Sequence, residues 1–259
     1  MTESHTYVEV EPHFPSDLRL SQVKEKTCRL LYSPQAFKTD DSQVLLRIRQ
    51  LDHDLEDWRL SVPLPFRPKL SILPNSLQFP SGMTRPQRKR CIHLQLEYHY
   101  LMTAIHATVR RCGSTHPDGV GLPEDLHSVV HSSSDLALEA GRSTLLFLKN
   151  PASVLEEVPF WHIASYPPMA AVSLFVNILI HPMQPEAQPD LEIMASTVST
   201  LQNISLPAIT DEEVDFLQET SEFVAELVRL GNAAIWKARK EGKSEGSHRH
   251  IIRRLSEIH

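Results

Sequence analysis

His99 and His106 stand seven residues apart, and Tyr98, Tyr100 and Glu97 surround the first of them. Seven residues is close to two helical turns, so a helix carrying both would turn the two imidazoles to one face. Imidazole, phenol and carboxylate together are the groups that move protons between a protein and a substrate when they line a pocket. At the boundary of a core the same groups only pack and hydrogen-bond. Both outcomes stay open from the residue types alone, and Tyr98, His99 and His106 are the candidate ligand contacts.

Other groups carry weaker chemical signals. His127 and His131 are four apart and could share a helix face for a metal, but no carboxylate or cysteine is set beside them by spacing, so no metal site is expected. Trp161, with Phe160, His162 and Tyr166, forms an aromatic stretch before Pro167 that is either a binding lip or plain packing. Arg85, Arg88, Lys89 and Arg90 make a basic knot that suits nuclear import or an acidic partner, against the simpler alternative of a solvated helix start. Glycine spacing matches neither a phosphate-cradling loop nor a nucleophile elbow, and no cofactor is expected. The three cysteines, Cys28, Cys91 and Cys112, are too few and too scattered for a disulfide framework or a closed zinc site.

These side chains need elements to hold them. The 259 residues include only 8 glycines, are 41% hydrophobic, and repeat apolar residues at threes and fours, which predicts one large all-α domain. Ser16 is a candidate cap for a first helix through Leu20, Val23, Leu30 and Leu31, and Asp40, Asp41 or Ser42 for a second from Val44 to Trp58. Six prolines between 61 and 86 predict an extended segment whose Leu64, Phe66, Leu70, Ile72, Leu73, Leu77 and Phe79 lie across helices. A long helix from Gln87 to about Arg111 follows, then a short one ending near His131 and another capped by Ser133 or Ser134.

The run from Met169 to Ile180 has only Ser173 and Asn177 as polar residues, and Pro182 follows closely. It is too short for a bilayer and is expected to be the central helix of the core. A helix from about Pro189 to Asn203 comes next. Thr210 and Glu213 form a capping box for a last helix that should stop at Gly242, leaving 242–259 as a basic, flexible tail behind a polar lead of residues 1–16. A net charge of -6 argues against general attraction to nucleic acid, and an acidic first stretch without an apolar block argues against a secretory leader.

The succession DLRLSQVKEKTCRLLYSPQAF, IRQLDHDLEDWRLSVPLPFRP, IHLQLEYHYLMTAIH, ALEAGRSTLLFL and SLFVNILIHPMQPEAQPDLEIM resembles the fungal-specific transcription factor domain, the regulatory region downstream of the zinc binuclear cluster in fungal activators. The likeness runs from about Asp17 to Ala234. It implies an all-helical regulatory domain over 17–241, incomplete at its N-terminal side, in a nuclear or else cytoplasmic protein. The implied partners are proteins of the transcription machinery or a DNA-binding transcription factor, with a small-molecule effector besides and no membrane. Six close cysteines hold the zinc ions of the family's DNA-binding module, and this chain lacks them, so no direct zinc-cluster DNA binding is expected of it. The competing expectation from another class is a metabolite-binding protein or isomerase- or cyclase-type enzyme on the same scaffold, with the α-helical histidines and tyrosines transferring protons.

Overall fold

A computed structural model describes residues 17–72, 79, 82–112, 124–149, 160–203 and 210–256; within helices, the side chains of 124–127, 161–163 and 242–256 lie outside the description. Its α-helices are α1 (Leu18–Thr27), α2 (Asp41–Ser61), α3 (Arg85–Ala107), α4 (Glu124–Leu148), α5 (Phe160–Ile180), α6 (Ala187–Asn203) and α7 (Asp211–Ser256). No strand occurs among the described residues, as the all-α expectation requires.

Local chemistry sets several of the starts. Asp17, rather than Ser16, caps α1 by accepting from the Arg19 amide at 2.9 Å, and Asp40 caps α2 through the Gln43 amide at 2.9 Å. Thr84 and Gln87 form a reciprocal capping box that starts α3 at Arg85, two residues ahead of the expected Gln87. Thr210 and Glu213 form the expected box at the head of α7, at 2.9 and 3.3 Å.

Three expected breaks do not occur. α4 runs unbroken from Glu124 because the Ser133 hydroxyl, instead of capping a new helix, is turned to His106. α5 begins at Phe160 and passes through Pro167 and Pro168. Each proline removes a backbone hydrogen bond, but packing of Phe160 and Tyr166 on a core cluster holds the first turns in line. α7 continues through Gly242, since one glycine costs only about 1 kcal/mol and Ala, Lys, Arg and Glu, all strong helix formers, precede it.

The described core forms three apolar clusters. α1, α2 and α3 close around Leu51, Leu55, Leu101 and Ile105; α4, α5, α6 and α7 close around Leu145, Leu174, Met194 and Val224; Ile72, Ile92, Phe147 and Leu217 join the two. The central position belongs to α3, which buries residues on almost every side from Ile92 to His106 and packs most extensively on α4. α5, expected there, is half covered: Ala170, Ala171, Leu174 and Ile178 are buried, whereas Val172, Leu179 and Ile180 are exposed. The sequence of α5 is more apolar, but burial follows neighbours, and α3 lies against α1, α2, α4 and α5. Gly231 allows α7 its close approach to α6, since a β-carbon there would meet Leu191 Cδ1 at 2.8 Å.

The segment after α2 is irregular as expected, apart from a short 3-10 turn at Leu64–Phe66. Phe66, Leu70, Ile72 and Phe79 pack on the core, Leu64 is exposed, and Leu73 and Leu77 lie outside the described residues.

Candidate functional site

Tyr98, His99 and His106 are all buried on α3. His99 and His106 turn to different partners. His99 Nε2 lies 2.9 Å from the Lys69 carbonyl and 2.8 Å from Gln95 Nε2. Nδ1 is buried without a hydrogen-bond partner, and burial lowers the ring's pKa to about 4. Gln95 secures the same strap: its amide accepts from the Lys69 N–H at 3.0 Å and donates to the Lys69 carbonyl at 2.6 Å.

His106 faces elsewhere. Its Nδ1 is 2.7 Å from Ser133 Oγ on α4, and its Nε2 is 3.2 Å from Asp52 Oδ1 on α2. Burial pushes the Tyr98 phenol up to about 12, opposed by the Arg59 charge. Two residues before His99, α3 also buries Glu97, which pairs with Lys24 of α1. Tyr166 approaches the same carboxylate, and burial followed by that negative charge raises the phenol's pKa.

The remaining sequence candidates are dispersed. Arg85, Lys89 and Arg90 are exposed on the first turns of α3; Arg88 donates to the Met83 carbonyl at 3.0 Å, and Arg90 lies 5.5 Å from the Phe66 ring centre. Trp161 is in the first turn of α5 and His127 in the first turn of α4, but their side chains lie outside the described residues. His131 is exposed. Among the described residues no group of three or more His, Cys, Asp or Glu side chains is placed to hold a metal, and no helix is long and apolar enough to cross a membrane.

A cleft of about 570 Å³ opens instead between α4, the C-terminal end of α5 and the turn leading to α6. Leu70 of the strap, Leu136 and Leu138 give it an apolar floor. Asp135, Glu139 and Arg142, at three- and four-residue spacing, present one face of α4 to it, and Gln184 and Glu186 come from the α5–α6 turn. Arg142 is committed to α6: Nε to Asp190 Oδ1 is 2.6 Å and Nη2 to Oδ2 is 2.9 Å, with Asp190 only 1% exposed. A fork-to-fork pair of this kind fixes both groups and raises the guanidinium pKa through the hydrogen bonds it donates to Asp190.

Asn177 completes the wall. It is 5% exposed, and among the described residues its side-chain amide makes no hydrogen bond. Its position in an otherwise apolar run was the sequence signal for this cleft. The acids on α4 gave none, because helical faces often carry such charges, and the sequence did not show that α6 would bring Asp190 to Arg142.

In sequence this chain is similar to fungal transcription regulators. The particular relatives are two proteins called ABC-transporter-regulating transcription factor. That of Aspergillus fumigatus is 28% identical over 240 residues, covering 90% of this chain and 25% of the relative; that of Aspergillus oryzae is 27% identical over 235 residues, covering 88% and 25%. The chain thus spans about a quarter of the length of the curated relatives it matches. No family model and no solved structure matches it. The similarity supports a part in transcriptional regulation.

Proposed function

We propose that this chain is a regulatory, effector region of a fungal transcription regulator, working through protein contacts and a small-molecule effector in the nucleus. The observation that carries this function is the similarity to two transcription factors over about nine-tenths of the chain. Contact with DNA comes from outside these 259 residues, either from a zinc cluster or from a partner, since Cys28, Cys91 and Cys112 cannot supply the six ligands such a cluster needs. The function requires no reaction, and Tyr98, His99 and His106 serve it by holding the helices in register. Arg85, Arg88, Lys89 and Arg90 are the proposed import signal.

The contact surface is the outer face of α7. Seven acids lie between Asp211 and Glu226, and Phe216, at 48%, and Phe223, at 44%, are exposed among them. A partner offering an apolar ridge edged by Lys or Arg complements that face. The names of the relatives make ABC-transporter genes the targets to examine first.

Fusing the chain to an unrelated DNA-binding module upstream of a reporter tests this function. Reporter output should change by several-fold, and Phe216→Asp with Phe223→Asp should return it to baseline while the purified variant keeps its helical signal. Output equal to that of the module alone would remove the effector assignment.

A further inference from the structure

We propose that the cleft walled by α4, α5 and the α5–α6 turn binds an organic cation, a protonated amine carried on an apolar body. This deepens the function above by naming the effector's chemistry, and only its consequence for transcription rests on that function.

Charge decides the sign of the ligand. Asp135, Glu139 and Glu186 face the space, and among the described residues Arg142 is the one cation lining it. The buried Asp190 offsets the Arg142 charge from behind through two hydrogen bonds, leaving Nη1 4.0 Å from Glu139 Oε2 as its contact on the cleft side. The cleft is therefore negative, and its shape focuses that field. The three carboxylates are not gathered as metal donors are, which suits a charge spread over an ammonium and its neighbouring carbons.

Body and polar anchor follow from the rest of the wall. Leu70, Leu136 and Leu138 offer apolar surface, and a volume of about 570 Å³ falls within the usual range for small-molecule sites. Asn177, 5% exposed and without a hydrogen bond among the described residues, lines the same space. One amide can donate to a ligand oxygen or accept from the ammonium itself. Gln184, exposed on the opposite side, offers a second amide at the mouth.

The experiment uses the purified chain and dibenzylamine, with dibenzyl ether as its uncharged counterpart, followed by calorimetry and by the shift in melting temperature. Dibenzylamine should bind and raise the melting temperature, and the ether should bind at least tenfold more weakly. Asp135→Asn combined with Glu186→Gln alters two exposed side chains and should weaken the amine tenfold or more without affecting the ether. Asn177→Leu should weaken the amine several-fold in a protein that melts no lower than wild type. Equal binding of amine and ether, or an amine affinity unmoved by the double variant, overturns the proposal, as does no binding at millimolar amine to a folded protein. If the amine binds as described but leaves the reporter fusion unchanged, the cation site stands and the effector role falls.

Discussion

Ser133 Oγ on α4 sits 2.7 Å from His106 Nδ1 on α3, and the other nitrogen of the same ring reaches Asp52 on α2. One imidazole therefore joins three helices inside a described core that is otherwise mostly hydrocarbon. Ser133→Ala removes a partner and leaves the ring nitrogen buried and unmatched, which should cost about 1 to 2 kcal/mol in urea unfolding. His106→Leu orphans the hydroxyl instead and should cost a similar amount. Stability unchanged in both variants would show that the contact contributes nothing.

The depressed pKa of His99 gives stability a defined pH dependence. An unfolded chain binds a proton on this ring below about 6.5, whereas the folded one resists until about 4. Between those values the unfolded state holds more protons, so stability falls as the pH is lowered through that window and levels off below it. The full effect is on the order of 3 kcal/mol. His99→Gln should flatten the slope between pH 6.5 and pH 4.5 in denaturant titrations, and an unchanged slope would assign the dependence to other groups.

Asp190 and Arg142 make a one-sided deletion expensive. Asp190→Ala should cost about 3 kcal/mol, because the guanidinium loses two hydrogen bonds in a partly buried setting. Replacing both, Arg142→Met with Asp190→Leu, should recover most of that loss. A double variant as unstable as the single one would mean that α4 and α6 need the ion pair itself for alignment.

Two helical glycines should respond oppositely to alanine. At Gly141 a new methyl meets the Ala170 carbonyl oxygen at 3.5 Å, an ordinary contact, so Gly141→Ala should stabilise by about 0.5 to 1 kcal/mol through helix propensity. At Gly231 the methyl falls 2.8 Å from Leu191 Cδ1, and Leu191 is itself buried. The cost of shifting it, about 1 to 3 kcal/mol, cancels or exceeds the same gain. Thermal melts that rank Gly231→Ala above Gly141→Ala would contradict the close packing of α7 on α6.

Much of the helical layout was legible because caps and apolar spacing act locally. Asp40 and the Thr210–Glu213 box are examples, each set by residues within one turn. The breaks were misjudged for the opposite reason. Ser133 looks like a cap until a histidine 27 residues away takes its hydroxyl, and Pro167 looks like a boundary until the packing of Phe160 and Tyr166 outweighs it. Apolar content likewise nominated α5 for the centre, whereas α3, with Glu97, His99, Thr103 and His106 all buried, occupies it. Glu97 and His106 find partners on other helices and His99 on the strap, and no pattern within one segment reports them. None of the cleft was read in advance, and Asn177 figured only as one of two polar residues in the α5 run.

The strap beneath the cleft is tethered at two points. Gln95 of α3 grips Lys69 by both its amide hydrogen and its carbonyl, and Ser143 of α4 accepts from the Ile72 amide at 2.9 Å. Leu70 lies between the two moorings. Whatever presses on Leu70 therefore pulls on α3 and α4 at once, so a small lateral slip between those helices would widen or pinch the space above it, like a drawstring anchored to two sliding rods.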